Sequence, residues 1–377
     1  MELTNHQRTF FGLNLVESGW DRVEYPFGYT VYYNKNRIVK IIISSDSIYS
    51  EYDTDEETNN RQTILPRTAK GKEKKLNYTS LSSVKGRGTL FDVDYSGGRY
   101  DDGEVKAVNL NTQIVFAERF EDESPVRNPQ ELQKWIEDYI SNSPDNHSNY
   151  VQQHITAKRQ HVKKIRPGDI YAWKVGRFEY AFVRILMYLP DVKKDNVLKL
   201  TDGRHGLNSV MAKSLLVQPI AYISSTSDID PDLLADEPVF PSLYVMDNNV
   251  FYGQNPIIGN RKLREQYLDF PISFGRSTYQ VPNHYLQWGF GHIEKESNDR
   301  LWEIHRTGHD MMGYRNDATG FGIFLDKAAI LNRRQNAAEN SHSLDLRMAH
   351  QKETLKAILK AFGFSADTDY MTITPFA

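Results

Sequence analysis

Apolar residues along this chain recur mostly with the alternation of strands, interrupted at a few places by the three-to-four spacing of helices. Residues 4–12 predict a short helix: Thr4 caps it, Gln7 stands three residues on, and Gly12 stops it. The runs "YTVYYNK" and "RIVKIIISS" have strand length and flank Asn34–Asn36, a hairpin turn. Then "SEYDTDEETNNRQ" is acidic, polar and without period, which predicts a solvated loop. "PRTAKGKEKKLN", residues 66–77, is its basic counterpart. Two more strand patterns, "GTLFDVDYS" and "EVKAVNLNTQIVFAERF", close a first β-rich module at 1–122.

The period then changes. In "PQELQKWIEDYI" the residues Leu132, Trp135, Ile136 and Tyr139 share one helical face, with Asn128 as cap and Pro129 in the first helical position. Proline-rich and small polar residues on both sides place this helix in a linker, 123–160. A second β module is expected at 161–275. It opens on "IRPGDIYAWKVGRFEYAFVRIL", a Pro-Gly-Asp turn and two strands, and continues through "SLLVQPIAYIS" and "SLYVMDN". The last segment, 276–377, starts with "RLWEIHR", which alternates like a strand, and becomes helical. In "HQKETLKAILKAFGF" the stripe is Leu355, Ile358, Leu359 and Phe362, and Gly363 stops the helix. The expected class is α+β, mostly β: two small barrel-like or sandwich-like modules, a connecting helix and a helical C-terminal tail.

Composition narrows the function. A formal net charge of −3 lacks the basic excess of a general nucleic-acid binder, so nucleic acid is not an expected partner. The absence of cysteine excludes disulfides, thiolate catalysis and thiolate metal sites. The N-terminus has no basic stretch followed by an apolar run, and no segment reaches the roughly eighteen apolar residues of a membrane helix. A cytoplasmic protein without membrane contact is expected. With 22 Tyr and 18 Phe, the chain has the aromatic material of both strands and binding surfaces.

Candidate chemistry is sparse. His305 and His309 are four apart, with Asp310 adjacent and His292 upstream, the raw material of a metal-dependent hydrolase or nuclease. Gly308 interrupts the required helix and no Glu follows the first His, so packing or surface histidines are the better reading. Asp53, Asp55, Glu56 and Glu57 begin like a calcium loop but lack its central glycine and distal glutamate. An acidic face offered to a basic partner fits them better. Lys70, Lys72, Lys74, Lys75, Lys85 and Arg87 lack the Walker spacing, and as a nucleic-acid-binding module they would be opposed by the nearby acids. No nucleophile elbow is present and no cofactor or catalytic residue is expected.

The central hairpin resembles the Immunity protein 26 family of bacterial polymorphic-toxin systems. The resemblance rests on Pro167, Gly168, Asp169, Ile170, Tyr171 and Ala172, then Tyr180, Ala181, Phe182, Arg184, Ile185 and Leu186, followed by "NPIIGNRKL" and "LDFP". It covers about residues 162–275. Val183 stands where the family commonly has Gly, and the family is usually a short single domain. The resemblance implies a non-catalytic protein that neutralises a cognate protein toxin by tight binding. Its expected contacts are Asp53, Asp55, Glu56 and Glu57, with Trp173 and Arg184 near the matched strands.

Overall fold

The computed structural model describes residues 1–98, 101–159, 161–162, 164–188, 213–263, 270–276, 283–288, 291–308, 327–335 and 345–368. The chain divides into two units, Met1–His161 and Val162–Ala377. The class is α+β, mostly β, as expected, and among the described residues the sheets are open antiparallel ones.

The first unit opens with helix α1 (Asn5–Phe10), whose capping box joins Thr4 and Gln7 as the spacing predicts. Strands β1 (Asp21–Tyr25), β2 (Tyr29–Asn34), β3 (Arg37–Ser44), β4 (Ile48–Asn59), β7 (Arg87–Asp94), β8 (Glu104–Asn109) and β9 (Val115–Glu118) form an antiparallel meander in sequence order. The minor strands β5 (Thr63–Ile64) and β6 (Lys74–Lys75) branch from β4, and helix α2 (Tyr78–Ser82) follows β6. The expected solvated acidic loop is instead strand β4, the centre of this sheet. Its alternation is carried by Tyr49, Glu51 and Asp53 on one side and Tyr52 on the other, so charged residues hide a strand period.

Helices α3 (Pro129–Ser141) and α4 (His147–Thr156) belong to this unit. Asn128 caps α3, and Leu132, Trp135, Ile136 and Tyr139 are buried, the four residues that the period picks out. They share a core with Phe11, Tyr49, Phe91 and Phe116. The residues expected to link two modules thus supply one wall of the first core. On the opposite sheet face Tyr29, Val31, Tyr33, Ile41 and Tyr52 pack against Leu81 of α2 and Val84 just after it.

In the second unit β10 (Asp169–Gly176), β11 (Glu179–Tyr188), β12 (Ser214–Ser224), β13 (Leu243–Met246) and β14 (Ile257–Asn260) form an antiparallel sheet ordered β13-β12-β11-β10-β14. Tyr171, Val183, Ile185, Leu215 and Val217 fill one face, and Ile170, Ala172, Phe182, Ile220 and Leu234 the other. Helix α5 (Asn248–Phe251) follows β13 and contributes Val250 to the first of these. A second sheet orders β15 (Ile272–Arg276), β16 (Asn283–Trp288) and β17 (Gly291–Glu296), so β15 runs across residue 275, where a module boundary is expected.

Helix α6 (Asp299–Arg306) corrects the strand expected at "RLWEIHR". Asn298 accepts from the Leu301 amide at 3.0 Å, and Leu301, Ile304 and His305 are buried at helical spacing. Helix α7 (Lys327–Gln335) sets Ile330 among Ala181, Ala221 and Phe240 of the larger sheet region. Helix α8 (Lys352–Phe362) ends at Gly363 in the left-handed conformation and packs Ile358 and Leu359 against Phe274 and Leu286.

Candidate partner-binding surface

The Pro-Gly-Asp turn is a structural lock. Gly168 has φ +89°, and a Cβ there would collide with the carbonyl oxygen of Arg261. The Asp169 carboxylate accepts from the Arg166 amide at 2.8 Å and from Asn260 Nδ2 at 2.6 Å. Asn260 also donates to the Pro167 carbonyl at 3.1 Å. One turn therefore fixes the start of β10 against the end of β14. Val183, where glycine is the common family residue, is fully buried between Tyr171 and Pro219 in the strand register and fills the core.

Trp173 and Arg184 lie on this framework, both half-buried. Trp173 faces Ala181 across the hairpin and packs at the junction of two apolar clusters. Arg184 stands in the middle of the sheet and donates to Gln218 at 3.4 Å. Neither is presented as freely as Phe178 at the hairpin tip, 47 % exposed, with the Arg177 guanidinium 5.0 Å from its ring centre.

Sequence reasoning also missed the strongest surface feature of this sheet. Residues 228–237, "DIDPDLLADE", set two adjacent leucines among five carboxylates. The segment forms a 3-10 turn in which Asp230 caps the amide of Asp232 at 2.9 Å. Leu234 is buried against Ile170 and Phe182, while its neighbour Leu233 is 61 % exposed. Pro231 packs so closely on Gly259 that a Cβ at residue 259 would meet it at 2.5 Å. Arg261 pairs with Asp232 at 2.8 Å and Arg334 with Glu237 at 2.9 Å, whereas Asp228, Asp230 and Asp236 have no ion pair among the described residues. An exposed leucine thus stands in a fixed acidic turn. A signal existed, since an apolar pair among five carboxylates needs one residue inside and leaves one outside.

The acidic residues expected as contacts separate in the first unit. Asp53 is buried and committed to Lys40 at 2.6 Å, so its expected exposure is overturned. The reason is register: Lys40 on β3 is its direct neighbour across the sheet, on the face covered by the helices. Asp55 is half-exposed and held between Arg37 and Arg87, the latter at 2.7 Å; these guanidinium groups keep its carboxyl below the usual range. Glu56 is half-buried and Glu57 exposed at the far end of β4.

Of the histidine set, His309 and Asp310 lie outside the described residues, as does the side chain of His292 on β17. His305 is buried on α6, with its ring 5.2 Å from that of His284 and 5.5 Å from Trp302. Among the described residues no three His, Asp or Glu side chains are grouped to hold a metal. No described helix is long and apolar enough to cross a membrane.

No curated protein and no solved structure matches this chain. About a third of it does have a counterpart among known families, and that third contains the locked turn, the hairpin, the acidic turn and β14. Residues 166–284 match the family described as Immunity protein 26, so the central region of this chain is similar to that immunity family.

Proposed function

We propose that the chain is a cytoplasmic immunity protein of a bacterial polymorphic-toxin system, which neutralises its cognate toxin by tight, non-catalytic binding. The observation that carries this reading is the match of residues 166–284 to Immunity protein 26. Occlusion is the mechanism: an interface of about 1,600 Å² with a few well-packed anchors reaches high affinity when its charges are complementary. Leu233 and Phe178 supply exposed apolar anchors on a backbone that is already fixed, so little order is lost on docking. Asp228, Asp230 and Asp236 around Leu233 favour a basic partner and speed its approach. Asp55, Glu56 and Glu57 on the first unit, and Trp173 and Arg184 on the second, remain proposed contacts on the same grounds of charge and residue type.

The test is co-expression with candidate toxins encoded by adjacent genes, scored by cell survival and by co-purification of the two proteins. Protection with a stable complex is expected. Survival without a complex, or a complex without protection, would overturn neutralisation by occlusion.

A further inference from the structure

The first unit also carries a basic stretch that is not among the proposed toxin contacts. Between Arg61 and Tyr78 the chain carries six basic residues and one acidic one, against a net charge of −3 for the whole. The single acid, Glu73, is paired with Arg67 at 2.9 Å. Lys70, Lys72 and Lys75 are exposed and have no ion pair among the described residues. Their loop is ordered: Thr68 closes it through bonds to the Lys72 amide at 3.0 Å and from its own amide to the Lys72 carbonyl at 2.9 Å.

Most of the acids that oppose this basic stretch in the sequence are paired elsewhere. Asp53 is buried against Lys40, Asp55 is held by Arg37 and Arg87, Glu57 lies 3.8 Å from Arg37, and Asp21 pairs with Arg61, which leaves Glu56. The lysines lead directly into Tyr78, which is 58 % exposed. Its ring meets Phe27 edge-on at 6.0 Å, and Phe27 lies stacked against Tyr25 at 5.6 Å, both half-buried. Leu76, between the last lysine and Tyr78, packs in the same cluster as Tyr25 and Phe27. Leu76 therefore anchors the chain between Lys75 and Tyr78 beside the rings of Tyr25 and Phe27.

Lysines without an ion pair that lead in the chain to an exposed tyrosine backed by two half-buried rings suit a ligand with a phosphate backbone and unstacked bases. An acidic protein would satisfy the lysines but has no row of planar groups for the rings, and a duplex keeps its base faces hidden. We propose that the first unit binds single-stranded nucleic acid, with Tyr78, Phe27 and Tyr25 as the stacking platform and Lys70, Lys72 and Lys75 on the phosphates.

The test uses the full chain and a fluorescein-labelled oligothymidylate of about 15 nucleotides, followed by anisotropy across a salt series. Saturable binding is expected. Tyr78→Ala should weaken it at least tenfold and Tyr78→Phe should retain it. Replacing Lys70, Lys72 and Lys75 together by Ser should weaken it and reduce the slope of log affinity against log salt by about 2. All six side chains are at least partly exposed; a change in thermal unfolding of Tyr78→Ala would leave the lysine variant to decide. Absence of saturable binding, an unchanged slope in the lysine variant, or competition by polyglutamate, duplex DNA or anionic vesicles equal to that by the unlabelled oligonucleotide would each overturn the proposal.

Discussion

Lys40 and Asp53 face each other across β3 and β4, both within the core of the first unit, with ammonium and carboxylate 2.6 Å apart. The contact is a close, buried ion pair. Lys40 also lies 3.0 Å from Glu51, which accepts from Arg8 Nε at 2.7 Å. Two cations and two anions thus balance inside the sheet–helix layer. Burial pushes the Asp53 carboxyl above its usual range, against the pull of Lys40 and of the Asn14 amide. Arg8 on α1 makes this cluster the polar fastening of the first helix to the sheet.

Removing one charge leaves its partner buried and alone, which costs about 3–5 kcal/mol. Lys40→Met is expected to lower the stability of the first unit by that amount, measured by urea denaturation followed by fluorescence. The double variant Lys40→Met with Asp53→Asn should lose less than the sum of the two single changes. Additivity in that cycle would mean that the pair is not coupled.

The fastening was not legible in the sequence. "YDTDEET" has the composition of a solvated loop, and only the neighbouring strand shows that Asp53 meets a lysine. By contrast, α1, α3 and α8 are legible, because their caps or stop signals and their apolar faces are local properties. The Pro-Gly-Asp hairpin was legible for the same reason. "RLWEIHR" reads as a strand because Trp302 and Ile304 alternate with Glu303 and His305, whereas the helix buries Leu301, Ile304 and His305, and its Asn298 cap lies just outside the motif. The surface of the second unit was legible only in part: charge and apolarity mark residues 228–237, but which of Leu233 and Leu234 turns inward is decided by packing.

The turn lock gives a second prediction. Gly168→Ala places a side chain at positive φ and against a backbone oxygen, so the strain and the forced shift act together. Asp169→Ala leaves the Arg166 amide and Asn260 without their shared acceptor, at a cost of about 1–3 kcal/mol. Both variants should lower the unfolding transition of the second unit and leave that of the first unchanged, as read by hydrogen exchange of each unit.

His284 makes stability in the second unit depend on pH. Its ring is fully buried, stacked on Phe274 at 5.4 Å, edge-on to Trp302 at 4.8 Å, and joined through Nδ1 to Ser297 Oγ at 2.8 Å. Burial first, then His305 and Arg276, lowers its pKa from 6.5 to about 4. Between those values the unfolded chain holds a proton that the folded one refuses. Stability from the neutral ring is therefore complete above pH 6.5 and is lost as pH falls towards 4. His284→Phe should flatten this part of the curve of Tm against pH relative to the unaltered chain. Parallel curves for the two proteins would rule His284 out as the source.

Leu233 separates folding from binding. It is exposed while Leu234 is buried, so Leu233→Asp should change stability by no more than about 0.5 kcal/mol. Leu234→Asp puts a charge among Ile170, Ala172, Phe182 and Ile220 and should unfold the sheet. If Leu233 is an anchor for the toxin, Leu233→Asp should weaken the complex at least tenfold while the thermal transition stays in place, measured by calorimetric titration against the purified toxin. An unchanged affinity would remove this turn from the interface without touching the fold.

The region similar to the immunity family is not a self-sufficient piece of this chain. It ends at residue 284, within β16, whereas β15 pairs with the whole of β16, β16 pairs with β17, and the sheet packs on Leu301, Ile304, Ile358 and Leu359. The larger sheet depends on outside residues too. Ile330 of α7 is buried beside Ala181 and Ala221, and Arg347 donates to the Ser242 carbonyl at 2.9 Å while pairing with Asp345 at 2.9 Å. A fragment of residues 166–284 would lose most of β16 and so expose the β15 edge and one side of an apolar core, the combination that drives strand-to-strand association. It should therefore be aggregated or molten when expressed alone, whereas residues 162–368 should give a cooperative thermal transition and dispersed amide resonances. A well-folded, monomeric 166–284 fragment would show that the later helices are additions to a complete module, not parts of its core.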